Sequence, residues 1–202
     1  MSDRRRVIVE AALRVIARGG ADSATHRAVA AEAGVALAST TYHFASKADL
    51  VAEALELAIE RSIAAVRRHT AAPLPSTPAE LVDRLVEIVE ALGADEQAPL
   101  AAQYELLLEA SRRPHLRPLA ERWNRAYLDG LETVVAAAGL PEPRHAAEIL
   151  SDLIDGALLI QLSVPVADFV QVSLRRRLER VVAGLAVATP SVAAAGRYSA
   201  AT

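Results

Sequence analysis

Residues 25–50 read Thr25-His26-Arg27-Ala28-Val29-Ala30-Ala31-Glu32-Ala33-Gly34-Val35-Ala36-Leu37-Ala38-Ser39-Thr40-Thr41-Tyr42-His43-Phe44-Ala45-Ser46-Lys47-Ala48-Asp49-Leu50. The pattern is helix, glycine turn, helix. The Thr25 hydroxyl can cap a short helix that carries Val29, Ala30 and Ala33 inward. Gly34 ends it, because the sharp corner needs the left-handed conformation that glycine adopts at little cost. Ala30 and Ala33 are small, so the next helix can lie close, and Val35 and Leu37 are expected to anchor the turn in the core. That next helix spans about Ala38 to His43 and shows Ser39, Thr40, Thr41, Tyr42 and His43. All five form hydrogen bonds, are uncharged at neutral pH, and most are compact. A helix so short and polar has little stability of its own. It makes sense if its neighbours pin it and present it outward, as they do a helix that enters a DNA groove.

Helical spacing continues in both directions. Upstream, Ile8, Ala11, Ala12, Val15 and Ile16 form one apolar stripe on a helix from about Asp3 to Arg18, stopped by Gly19-Gly20. Downstream, Ser46 caps a long helix with Leu50, Ala54 and Leu57 on one face, reaching about Arg68. Pro73, Pro75 and Pro78 mark a boundary. Beyond it the sequence predicts helices over Ala79–Leu92, Leu100–Arg113, Leu116–Ala138, Arg144–Ser163 and Ala167–Ala188. The chain has only seven aromatic residues, and no hairpin dipeptide lies between alternating apolar runs, so strand signals are nearly absent. The expected fold is all-α: a three-helix head with the helix-turn-helix at about 25–44, joined by a long helix to a C-terminal helical bundle. The expected divisions are 1–62 for the head, 63–190 for the bundle, and 191–202 for an Ala/Ser/Gly-rich tail.

Composition narrows the classes. At 202 residues with 52% apolar and 23% charged, the chain can bury a sizeable core. It has no cysteine, which excludes disulfides, thiolate metal sites and cysteine nucleophiles. The longest uncharged stretch, Val181–Gly196, is 16 residues and contains Pro190, too short for a membrane span. Glu10 and Arg14 interrupt the apolar run that a secretory signal needs, so the protein is expected to begin near Met1 and to be cytoplasmic. The net charge is −3, unevenly spread: residues 1–48 hold seven Lys/Arg against four acids, the remainder 15 against 21. A basic head on an acidic body suits a polyanionic partner. Arg4, Arg5 and Arg6 read either as a solvated terminus or as an arm that binds a nucleic-acid backbone.

No phosphate loop, nucleophile elbow or dinucleotide fingerprint is present, and the five histidines show no i, i+4 pair. Neither an enzyme, a metal site nor a cofactor is expected.

The combination Ala30-x-x-Ala33-Gly34-Val35 with Tyr42-His43-Phe44-x-Ser46-Lys47-x-x-Leu50 resembles the N-terminal domain of TetR-family transcriptional regulators over about residues 4–60. The resemblance implies a DNA contact set. Thr25 matches the capping residue near a phosphate, and His26 and Arg27 open the helix that approaches the backbone. Ser39, Thr40 and Thr41 match the part that enters the major groove, and Tyr42 and His43 the contacts near its end. Lys47 matches the lysine at the start of the fourth helix, where ammonium and helix N-terminus can both hold phosphate. Phe44 matches a core plug. The sequence departs from the family in two places: Ala38 or Ser39 stands where a glycine is common, and Thr41 precedes a single aromatic, Tyr42, where paired aromatics are common. Base preference therefore does not transfer.

For the body the resemblance implies a regulatory domain with a small-molecule pocket and a dimer interface. Pocket candidates are Tyr104, Leu108, Trp123, Tyr127 and Gln161, a lining suited to a small hydrophobic effector. Plain core packing competes for Trp123 and Tyr127, one helical turn apart. Two stripes are candidates for the dimer surface: Ile149, Leu153, Gly156, Ala157 and Ile160, and then Leu174, Leu178, Val181 and Leu185. Arg175, Arg176 and Arg177 suit a solvated face or a dimer rim. The expected partners are a double-stranded DNA operator, a second copy of the chain and the effector. Two recognition helices about 34–36 Å apart read successive major-groove faces of a palindrome. The expectation is a ligand-responsive repressor acting as a homodimer. The alternative is a helical small-molecule-binding or scaffold protein without specific DNA readout.

Overall fold

The computed structural model of the chain describes residues 3–71, 73–94 and 100–187. Every regular element among them is helical. The head comprises α1 (Asp3–Gly19), a 3₁₀ turn (Ala21–Ser23), α2 (His26–Ala33), α3 (Leu37–His43) and the start of α4 (Lys47–Ala71). The body follows with α5 (Pro78–Ala94), α6 (Leu100–Arg112), a second 3₁₀ turn (Pro114–Leu116), α7 (Arg117–Ala137), α8 (Pro143–Ser163), a π-helical turn (Phe169–Leu174) and α9 (Arg175–Ala186). The tail 191–202 lies outside the described residues.

α1 buries more than the expected stripe. Val9 and Leu13 are buried along with Ile8, Ala11, Ala12, Val15 and Ile16. The helix packs against α2, α4 and α6 together, so a single apolar face does not suffice. Gly34 does what its position requires: at φ 63° it closes α2, and Val35 N–H returns to the Ala30 carbonyl at 3.0 Å. Leu37 corrects the expectation. Val35 packs against the core, but Leu37 is 43% exposed. α3 already begins at Leu37, and the residue that turns inward from it is Thr40.

α4 runs unbroken past the expected head boundary at residue 62. Its buried face extends from Leu50 and Ala54 through Ile59 and Ser62 to Val66. The seam between α4 and α7 is close. A Cβ built on Gly130 would stand 2.3 Å from Val66 Cγ1, so only a residue without a side chain lets the helices approach this far. Across the same seam, Trp123 Nε1 donates to Ser62 Oγ at 3.0 Å.

The last expected helix, Ala167–Ala188, is also corrected. Asp168 takes a left-handed conformation (φ 53°), a wide π turn follows, and regular α9 starts only at Arg175. The wider turn brings Phe169 and Leu174, five residues apart, to the same buried side.

Candidate nucleic-acid interface

α3 is seven residues long and is held at both ends. Thr40 is fully buried, and its Oγ1 donates to the Leu37 carbonyl at 2.8 Å, with the His26 carbonyl at 3.5 Å. It therefore joins α3 to α2 and is no base contact, which corrects the expectation for this residue. Phe44, also buried, returns its N–H to the Thr40 carbonyl at 3.0 Å. Arg5 then closes the far end. Its guanidinium lies 4.6 Å from the centre of the Phe44 ring, Nη1 donates to the His43 carbonyl at 2.9 Å, and Nε donates to Glu53 Oε1 at 2.8 Å, with Nη2 pairing with Glu53 Oε2. One cation thus ties α1, the C-terminus of α3 and α4 together.

The outward side of α3 is what remains. Tyr42 is 85% exposed, an extreme value for an aromatic side chain in a folded domain. Its ring meets His43 edge-on at 5.1 Å. Thr41 is exposed, with its hydroxyl proton returned to the Ala38 carbonyl at 3.2 Å. Ser39 and His43 are half-buried. Together with Arg4 and Ala38, the residues Ser39, Tyr42 and His43 line an open groove of about 400 Å³.

The three consecutive arginines therefore separate. Arg5 is turned inward, Arg4 faces the groove, and Arg6 is exposed, 4.0 Å from Asp3. Arg14 and Arg18 are committed to Glu32: Arg14 Nε donates at 2.7 Å and Arg18 pairs with the second oxygen. These two hydrogen bonds, Arg14's first, hold the Glu32 carboxyl below the usual carboxylate range.

The α2 residues lie beside this surface. Thr25 caps the helix, accepting from Ala28 N–H at 3.1 Å. Arg27 is exposed. His26 is half-buried, and its Nδ1 has no hydrogen-bond partner among the described residues. Lys47 is already engaged: Nζ donates to the Asp22 carbonyl at 2.8 Å and to Asp22 Oδ1 at 3.2 Å. The Lys47 hydrogen bond, with Arg113 contributing from 3.9 Å, keeps the Asp22 carboxyl below its ordinary value.

Head and body meet at this same turn. Glu105 of α6 accepts Ala21 N–H at 3.0 Å. Its neighbour Tyr104, half-buried, points to the body, with its hydroxyl 3.2 Å from Asp155 Oδ1 of α8. Burial first, and then the Asp155 charge, push the Tyr104 hydroxyl well above its usual range, and burial pushes Tyr127 up likewise.

Of the five pocket candidates, Tyr104 bonds Asp155, whose charge also acts on Tyr127. Trp123 and Tyr127 are both buried and stack in parallel at 5.4 Å. Leu108 is 50% exposed, and Gln161 closes a local loop, bonding the Val166 carbonyl at 3.0 Å and its N–H at 2.9 Å. Neither joins the cluster.

The dimer candidates divide as well. On α8, Gly156 is open, Ile160 is 64% exposed, and Ile149 and Leu153 are half-buried, while Ala157 is buried in the chain's own core. Leu174, at the end of the π turn, and Leu178 of α9 are fully buried, and Val181 and Leu185 pack against the core. α9 packs on α5, so Leu174 and Leu178 are taken up by the chain's own core, which corrects the expectation for these two residues; Val181 and Leu185 stay half-buried. Arg175 strengthens that packing through Asp83 at 2.5 Å. Leu159 and Leu162, not foreseen, complete the exposed apolar strip of α8.

A short pinned helix with a polar outward side, beside a long helix that runs on into the C-terminal helices, is the arrangement of a helix-turn-helix DNA-binding protein with a C-terminal regulatory domain. The profile for bacterial regulatory proteins of the tetR family matches residues 8–54, and that for the tetracyclin repressor-like C-terminal domain matches residues 76–186. The chain belongs to the TetR family, and it is a DNA-binding transcriptional regulator. Among curated relatives, it is 26% identical over 168 residues to the HTH-type nicotine-responsive transcriptional repressor HdnoR of Paenarthrobacter nicotinovorans, covering 81% of this chain and 86% of that protein. A TetR-family member from Streptomyces coelicolor is 35% identical, with a TM-score of 0.69 over 89% of this chain and 98% of that one. The multidrug binding protein EbrR complexed with proflavin is also 35% identical, with a TM-score of 0.60 over 89% and 99%. The family fold carries DNA binding and dimerisation with it. No helix among the described residues is long and apolar enough to cross a membrane.

Proposed function

We propose that the chain is a cytoplasmic, non-enzymatic repressor that grips a palindromic operator as a homodimer and releases it when a small organic effector enters the body. The observation that carries the reading is Tyr42, an aromatic side chain 85% exposed on a short helix that buried Thr40 and the Arg5 contacts hold in place. Tyr42, Thr41, Ser39 and His43 are the base-reading and groove contacts. Thr25, Arg27 and Lys47 hold phosphates, Lys47 exchanging Asp22 for the duplex, and His26 supports α3 from α2. The dimer forms through the exposed strip of α8 around Gly156 and Ile160, with Ile149 and Leu153 at its edge. Residues 1–62 act as the head and 63–190 as the regulatory body, with α4 shared between them.

The relatives' ligands support an organic effector: one relative is nicotine-responsive, and another is seen with proflavin. α6 gives such an effector a path to the head, since Tyr104 holds α8 and Glu105 holds the turn before α2. A coupling of about 1–3 kcal/mol is the usual scale for such control.

The test is fluorescence anisotropy of the full chain on its own upstream DNA and on random DNA across a salt series. The expected result is preference for the upstream fragment and a log K that falls steeply with log salt. Equal affinity for both DNAs, or a flat salt response, overturns the reading in favour of a small-molecule-binding protein.

A further inference from the structure

Asp155 lies midway along α8, half-buried, and uncharged groups alone hold its carboxylate. The Tyr104 hydroxyl is 3.2 Å from Oδ1 and 3.3 Å from the Asp155 backbone carbonyl, and Ser151 Oγ donates to Oδ2 at 3.3 Å. Among the described residues no Lys, Arg or His acts on it, and the one neighbouring charge that does, Asp152, has the same sign. Tyr127 is within electrostatic reach of both Asp155 and Tyr104.

This is an unusual place for a carboxylate. An anion taken from water without a counter-ion is costly, and plain stability would favour an apolar residue here. Burial pushes its pKa up against the two hydroxyl contacts. The same low-dielectric surroundings strengthen the pull on any cation that reaches the carboxylate, and the Tyr104 ring beside it adds the attraction of an aromatic face. A hydrophobic effector alone makes no use of this charge.

We propose that Asp155 is the counter-ion for a small aromatic cation, and that the cation takes the carboxylate from the Tyr104 hydroxyl. The proposal rests on the reading of the body as the effector-binding domain and names the chemistry of the effector. It also supplies the switch. Tyr104 and Glu105 are consecutive on α6, one gripping α8 and the other gripping Ala21 N–H in the head. A ligand that releases the first contact alters the setting of the second.

The experiment is titration of the full chain, without DNA, with ethidium (by dye fluorescence) and with phenanthridine, its uncharged parent ring system (by Trp123 quenching). Asp155→Asn keeps the shape and removes the charge, Asp155→Glu keeps the charge, and a thermal melt checks that both variants fold. The expected result is saturable ethidium binding that weakens on the order of tenfold or more in Asp155→Asn, the scale of one charge-assisted contact. Asp155→Glu should restore part of it, and phenanthridine should change less than about twofold. Ethidium affinity unchanged in Asp155→Asn, equal loss for both dyes, or no saturable ethidium binding by the folded wild type overturns the proposal. The effector reading is tested separately, again without DNA: saturable phenanthridine binding that Asp155→Asn leaves unchanged, by a chain that does not bind ethidium, would leave it standing while removing Asp155 from the site.

Discussion

Arg5→Met removes one charge and keeps most of the side-chain bulk, so it isolates the device that fixes the end of α3. Three contacts are lost: the ion pair with Glu53, the hydrogen bond to the His43 carbonyl, and the guanidinium over Phe44. The ion pair is partly solvated, with side-chain exposures of 35% and 25%, which limits it to about 0.5–1 kcal/mol. The hydrogen bond adds about 1 kcal/mol and the ring contact about 0.5–1 kcal/mol. These share one side chain and do not sum fully, so about 2 kcal/mol is expected, a fall of roughly 4–8 °C in Tm for a chain of this size. The assay is denaturant unfolding of the wild type, Arg5→Met, Glu53→Gln and the double variant, together with operator anisotropy well below Tm. The cycle should give a coupling of about 0.5–1 kcal/mol. Operator affinity should fall about five- to tenfold while the preference over random DNA narrows, because a loosened α3 loses base contacts before phosphate contacts. Arg4→Met is the contrast: it should leave Tm unchanged and weaken all DNA binding to a similar degree. A coupling below about 0.3 kcal/mol, or an Arg5→Met variant with wild-type Tm and operator affinity, would refute the clamp.

Further outcomes are expected elsewhere. Gly130→Ala should destabilise the chain by about 1–2 kcal/mol despite alanine's better helix propensity, because its Cβ would stand 2.3 Å from Val66 Cγ1; Val66→Ala in the same chain should recover most of the loss, and urea midpoints check both. Phe44→Ala should cost about 3–5 kcal/mol, read in the same melts, since the ring is buried at the foot of α3. Tyr42→Ala and Lys47→Ala should weaken operator binding without lowering Tm by more than a few degrees; unchanged affinity in either would remove that residue from the interface. The pH dependence should carry the mark of Asp155. Its folded pKa is raised, so the folded state binds more protons than the unfolded chain, and stability falls as pH rises from the ordinary carboxylate value to the folded one. Asp155→Asn should flatten that fall and make the protein more stable at neutral pH, as thermal melts across pH will read.

The head was legible because its determinants are local. Thr25, Gly34 and the Ala30/Ala33 pair act within a few residues, and cap, corner and close approach follow from side-chain size and hydrogen bonding alone. What sequence spacing misses is pairing across distance. Thr40 has the same chemistry as Ser39 and Thr41, and only the packing of α3 against α2 shows that it is the one that faces inward. Arg5 reads like Arg4 and Arg6 until Glu53 and Phe44 are brought beside it. In the body Leu178, Val181 and Leu185 share one face of α9, but periodicity says nothing about whether a face meets its own chain or another copy. Leu174 and Leu178 meet α5 and the core, leaving α8 with the free strip. Asp155 carried no sequence signal: an acid in a helix is ordinary until its neighbours prove to be uncharged.

The central claim is that two rigid copies of α3 read base edges as a pair. Selection of bound duplexes from random-sequence DNA by the full wild-type chain tests it most directly. The expected result is an enriched two-fold-symmetric pair of half-sites, centred about 10 base pairs apart or a multiple of that, and an altered preference for Tyr42→Ala. Recovery of no common sequence, or of the same sites by wild type and Tyr42→Ala with equal affinity, would contradict it.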